Sequence, residues 1–332
     1  MGKTPQRLGG LLLLLAALVA AAVASIAFGS RAIPVGDVWH ILWNEDGTDI
    51  SGIVHGLRIP RTVLGLVAGA AIGAAGALTQ GHTRNPMADP GLLGVNAGAA
   101  CTVVVGVYVI GITTPIQYMA FGLVGALVAS SLMFLIASAG KGANPLTLIL
   151  AGTGLSVLLM AITSAIVLID TASLDAWRFW QVGSTEGRGW DVIVATLPFI
   201  VPGMVLAVAS GFFLNILSLG DDIAHALGTR VRQARIIGII GITLLVGAAT
   251  AACGPIVFLG LVAPHIARFI TGPDYRWIVP YSALIGGLLL VGSDVVGRVI
   301  ARPGEVQAGI ILAAIGAPFF IVLVQAKKLV AV

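Results

Sequence analysis

The stretch RIPRTVLGLVAGAAIGAAGALTQGHTRNPMADPGLLGVNAGA, residues 58–99, sets two kinds of sequence against each other. Its first half is apolar, with Gly65, Gly69 and Gly73 at four-residue spacing and Gly76 close behind. An apolar run of ~20 residues crosses a bilayer as a helix. Small residues four apart let helix backbones approach closely in lipid, so the ladder reads as bundle packing. Gln80, His82, Arg84, Asn85 and Asp89 then interrupt the run, with Pro86 and Pro90 among them, before apolar sequence resumes. Asn85-Pro86 and Asp89-Pro90 both disfavour helix there. Irregular backbone at membrane depth is tolerated only against protein or a cavity. Two spans joined by a polar, kinked segment are predicted.

The rest of the chain repeats the theme. Of 332 residues, 58% are hydrophobic, 10% charged and 44 are glycine. A soluble domain carries roughly 25% charged residues, so that class is excluded. The expected class is all-α, a polytopic membrane protein of about ten transmembrane helices forming one domain, 1–332. The predicted spans are 8–28, 62–80, 91–111, 116–138, 145–169, 191–213, 236–253, 255–269, 278–300 and 308–325. The eighth is short and bracketed by Pro255 and Gly272, as a half-helix would be. The first thirty residues also fit a signal peptide, but the run to Phe28 is long enough to span and favours a retained first helix.

With the N-terminus inside, eleven basic residues (Lys3, Arg7, Arg84, Lys141, Arg230, Arg232, Arg235, Arg268, Arg276, Lys327, Lys328) fall on the cytoplasmic side. Seven (Arg31, Arg58, Arg61, Arg178, Arg188, Arg298, Arg302) fall outside, with nine acidic residues including Asp170, Glu186 and Glu305. The positive-inside rule then places both termini in the cytoplasm.

Little here reads as enzyme chemistry. Gly140-Lys141 lacks the upstream Gly and following Ser or Thr of a phosphate loop. The five histidines are scattered and the two cysteines lie in separate apolar runs, so neither a metal site nor a disulfide framework is expected.

Five polar features remain. In SLGDDIAHALGTRVRQAR, 218–235, Asp221 and Asp222 suit the first turn of a short helix and Gly228 its stop. Thr229 is the expected cap of a second short helix carrying Arg230, Arg232 and Arg235. A compact knob or a solvated connector fits equally. In LRIPR, 57–61, two arginines sit on the acidic side, either snorkelling to headgroups or docking an acidic surface. Asp294 and Arg298, four apart, share a helix face about 9 Å from the span's outer end. An intramembrane acid is a functional candidate by default and would suit a proton-coupled carrier, yet its ready cationic partner favours a structural pair. Trp177, Trp180 and Trp190 read as headgroup-level anchors. Pro255 and Pro264 are expected to break the eighth segment, where His265 finds a helix-terminal hydrogen bond.

The 58–99 stretch and GPIVFLGLVAPHIARFITGPDYRW, 254–277, resemble the signature segments of the iron-siderophore permease family of ABC importers, the type that includes the cobalamin permease. RFWQVGS, SLGDDIAHALG, the Asp294–Arg298 region and IGAP at 315–318 extend the resemblance from about residue 10 to 325. LLGVNAGA, RFWQVGS and the LG–ALG loop look most like ferric enterobactin permease subunits. The resemblance implies ten helices per subunit and a second permease subunit, identical or related, with a heterodimer favoured. It also implies two ATPase chains that bind the ATP and Mg, and a siderophore-binding protein at the outer face of the bacterial cytoplasmic membrane. No cofactor in this chain and no nucleic-acid partner are implied. Asn85 and Met87 match the cytoplasmic gate. Arg58, Arg61 and Arg298 match arginines that dock the binding protein. Asp221, Asp222, His225, Ala226, Leu227 and Gly228 match the coupling helix that seats on the ATPases. Pro145-Leu146 departs from the cobalamin permease and argues against cobalamin as cargo; the enterobactin-like segments imply a catecholate siderophore, with a haem or cobalamin permease of the same family as the alternative.

Overall fold

The computed structural model describes residues 4–44, 47–139 and 145–325. Lys3, Glu45, Asp46, Gly140, Lys141, Lys327 and Lys328 lie outside the described residues. Helix α1 (Thr4–Ala27) is followed by the short α2 (Val35–Trp43). Helix α3 (Asp49–Ile53) runs through a π turn (Val54–Arg58) into α4 (Ile59–Thr83), one continuous 35-residue rod. A 3₁₀ turn, Pro90–Leu93, precedes α5 (Val95–Ile110), α6 (Pro115–Ser138) and α7 (Pro145–Ile169). Then come α8 (Thr171–Gln181), α9 (Trp190–Leu217), α10 (Asp221–Ala226), α11 (Val231–Cys253), α12 (Leu259–Thr271), α13 (Tyr275–Ile300) and α14 (Ala308–Gln325).

Every predicted span falls on one of these helices. Seven are long and apolar enough to cross a membrane; α5, α12 and α14 are apolar but shorter. The third span begins at Val95 rather than 91, because the Asp89 side chain accepts from Gly91 N and caps the 3₁₀ turn. The eighth begins at Leu259, after a non-helical stretch opened by Gly254.

Helix α4 is the central post, with α9, α11, α12 and α13 around it. Its glycines explain how close they come. A methyl on Gly69 would lie 2.8 Å from the Gly286 carbonyl carbon and Gly287 Cα of α13. One on Gly76 would lie 2.6 Å from the Gly260 carbonyl carbon of α12. Pro264, expected to break the helix, lies inside α12. Its missing N–H frees the carbonyl four residues earlier, and that carbonyl, Gly260, is the one packed on Gly76. The periphery is different: α1 and α7 leave most of their spanning surface uncovered.

Three further expectations are corrected. The second helix of the 218–235 segment is no separate element: it is the start of α11, and Arg230, not Thr229, occupies the cap position. Trp180 is packed inside the bundle rather than presented as a surface anchor, whereas Trp190 stays half exposed. His265 sits mid-helix, its Nδ1 2.9 Å from the Leu261 carbonyl one turn back.

Candidate functional site

Polar chemistry gathers at the two ends of the bundle. At one end, a basin of about 330 Å³ is lined by Arg31, Arg58, Arg61, Arg188, Arg298, Glu186 and Glu305. Arg58 and Arg61, three apart, share a helix face. Arg58 points at the end of α1 rather than at solvent: Nη1 donates to the Ile26 and Ala27 carbonyls at 2.8 and 2.9 Å, and Nη2 to Arg31 O at 2.7 Å. Gly29 makes room for it, since a methyl there would come within 2.6 Å of its Nη2.

Arg61 holds two carboxylates. Its Nε and Nη2 donate to Asp294 Oδ1 at 3.0 and 2.7 Å, and Nη1 to Glu305 Oε2 at 2.6 Å. Arg298 pairs with the other oxygen, Oδ2, at 2.9 Å and donates to Ser25 Oγ, Ser25 O and Phe28 O. Thr185 Oγ1 donates to Asp294 Oδ1 at 2.9 Å. Asp294 and Arg298 are each 2% exposed, so this is a buried network of two cations on one shared carboxylate. The Asp294–Arg298 pair expected from spacing is present. Arg61, Glu305, Thr185 and Ser25 complete it from as far as 273 residues away, where no local pattern could reveal them. All three sequence-selected arginines thus line the basin, but with internal partners.

At the other end the chain leaves α4 through Arg84, whose φ of +49° lies in the left-handed region. Asn85 and Met87 follow, non-helical as expected, with Met87 N donating to Asn85 Oδ1 at 2.9 Å. Burial pushes the Asp89 carboxyl up to about 6, against the opposing hydrogen bond from Gly91. The knob behaves as two faces. Asp222, His225, Ala226, Leu227 and Gly228 are exposed, with Ile223 also bare. Asp221 instead turns inward, pairing with Arg235 at 2.7 Å and with Arg84. Arg84 Nε also donates to Leu217 O at 2.8 Å. Arg84 is the residue that sequence alone passed over: only its position before Asn85-Pro86 marked it. Among the described residues no group of His, Cys, Asp or Glu could hold a metal ion.

The comparisons agree with this architecture. The model of the FecCD transport family matches residues 14–326. The ferric enterobactin transport system permease protein FepD of Escherichia coli is 43% identical, over 96% of this chain and 94% of the relative. The hemin transport system permease protein HmuU of Yersinia pestis is 34% identical, over 98% and 97%. A solved inward-facing ABC transporter of the metal-chelate type superimposes with TM-score 0.84 at 28% identity, covering 95% of this chain and 98% of that one. Ten apolar helices, the buried network at one end and the Asp221 knob at the other are the body of a membrane permease. The chain belongs to the FecCD transport family, the permeases of iron-siderophore ABC importers.

Proposed function

We propose that this chain is a permease subunit through which an ATP-driven importer moves a ferric siderophore of the catecholate class across the bacterial cytoplasmic membrane. The observation that carries the reading is the 43% identity, over 96% of the chain, to a permease named for ferric enterobactin. Both termini lie in the cytoplasm, so the basin faces outward and the knob inward. ATP and Mg are bound by separate ATPase chains, and a second, related permease completes the pathway as a heterodimer.

The basin supports docking of a binding protein. Arg188 aside, four lining arginines against two glutamates leave two positive charges, or one with Asp294 beneath. Because Arg58, Arg61 and Arg298 are held internally, they set the potential of the basin floor for carboxylates arriving from outside. The knob seats on the ATPases through Asp222, His225, Ala226, Leu227 and Gly228, while Asp221 ties it to Arg84 and so to the gate residues Asn85 and Met87.

The test is uptake of radiolabelled iron on a panel of siderophores in cells with and without this chain, with haem and cobalamin followed in parallel. Loss confined to catecholates is expected. Intact ferric siderophore uptake with lost haem or cobalamin entry would overturn the substrate.

A further inference from the structure

Arg188 stands apart from the other arginines of the basin. It lies in the 182–189 connection, which is firmly held: Ser184 N donates to Cys253 O at 2.7 Å, Gly309 N to Gly183 O at 3.1 Å, and Thr185 to Asp294. Arg188 itself is half-buried, with a fully buried Nε that finds no acceptor, and it forms no ion pair among the described residues. Burial pushes its guanidinium pKa down. Leaving a cation in that condition is costly unless something arrives to pair with it.

What could arrive is bounded by the surroundings. Arg188 lines the basin and also an adjoining cavity of about 810 Å³, shared with Tyr118, Phe179, Trp180, Ser184 and Gln307. That volume is within the ~300–1,000 Å³ of small-molecule sites. The acids on the same wall are partly spoken for: Glu305 is held by Arg61 at 2.6 Å and Asp175 faces Arg178 at 3.7 Å. Glu186, exposed at the rim, pairs with neither.

We infer that Arg188 is a cargo contact: the cation that receives an anionic, oxygen-donor chelate as it enters the 810 Å³ cavity, where Tyr118 and Phe179 are among the lining residues. This rests on the importer reading and names the charge its cargo must carry. Neutral or cationic chelates would gain nothing from Arg188.

The experiment uses the whole importer, this chain with its companion permease and ATPases, in liposomes with binding protein loaded with ferric catecholate. Iron moved per ATP hydrolysed is measured alongside binding-protein affinity. Arg188→Gln is expected to lower iron per ATP about tenfold, the loss of one charge-assisted hydrogen bond. Docking affinity should stay as in wild type, and Arg188→Lys, which keeps the charge, should recover most of the yield. Wild-type iron per ATP in Arg188→Gln would overturn the inference. So would equal weakening of loaded and empty binding protein, which would give Arg188 to docking. A defect that vanishes when anionic lipids are left out would assign it to a headgroup and also overturn it. If the wild-type complex moves no ferric chelate, the importer reading itself falls and takes this one with it.

Discussion

Replacing Asp294 by Ala tests the buried network directly. The carboxylate accepts three hydrogen bonds from Arg61, at 3.0, 3.1 and 2.7 Å, one from Thr185 at 2.9 Å, and pairs with Arg298 at 2.9 Å. Without it, two guanidinium groups at 9% and 2% exposure remain close together with only Glu305 as counter-ion. Removing one partner of a buried pair costs about 3–5 kcal/mol, because the charge left behind is uncompensated. At about 1.4 kcal/mol per decade, that is roughly two to nearly four orders of magnitude in the folded ratio. The assay is unfolding of the purified chain in mixed micelles titrated with SDS, followed by far-UV circular dichroism. The pair Asp294→Leu with Arg298→Met provides the control. It leaves Arg61 on Glu305 with no orphan cation, and should recover part of the loss. A cost under about 1 kcal/mol, the range of exposed ion pairs, would refute the reasoning. A double variant no better than Asp294→Ala would refute it too.

Three further expectations follow from the geometry. Arg84→Ala should lower iron uptake more than ATP hydrolysis in the reconstituted importer, with Arg84→Lys intermediate; equal losses would sever the knob from the gate. Gly73→Val should cost about 1–3 kcal/mol or more by the same SDS titration, since even a methyl there would lie 2.9 Å from the Ser282 carbonyl carbon. Gly52→Ala, with nothing within 4 Å, should be neutral. Asp274 is pulled to about 2 from an ordinary 3.8: burial opposes, but hydrogen bonds from Arg276 and Asn215 prevail. Its folded pKa is thus depressed, so its stabilisation is complete above the ordinary value and fades as pH falls through about 2. The stability gap between wild type and Asp274→Asn should therefore close as the titration is repeated down that range; a gap constant with pH would be the contrary result.

The spans were legible because hydropathy and length are local properties, and the 58–99 stretch alone carried two helices and the kink between them. Gly65, Gly69 and Gly73 also told their function by spacing. What sequence could not give was facing. Trp180 and Trp190 look alike in a polar segment, yet one is packed inside and the other half exposed. Thr229 had the chemistry of a cap but the helix began two residues later, because the backbone from Gly228 turns before it coils. Asp294 and Arg298 were found by their i, i+4 spacing, whereas Arg61 comes from 233 residues away. Arg188 counted only as one more outer charge; Gly183 and Gly187 before it, both at positive φ, were the available signal that the connection turns there.

Both ends of the molecule are attached to one helix. Arg61 near the start of α4 holds the buried network, Arg84 at its end holds the knob, and between them Gly69, Gly73 and Gly76 lie in backbone contact with α12 and α13. A helix locked along its length in this way cannot open by bending without separating backbones that have no side chains between them to give way. On the importer reading, motion therefore falls to parts attached more loosely. These are α1 and α7, with 6% and 11% of their spanning windows buried, and the non-helical segment after Arg84. Arg84 is the junction: its left-handed backbone turns the chain into that segment, and its guanidinium is held by Asp221 and the Leu217 carbonyl. A non-glycine residue keeps such a conformation only where its surroundings enforce it. On that reading, we propose that displacing the knob changes those surroundings first, so that the push reaches Asn85 and Met87 through one residue, with α4 and the arginine network standing still.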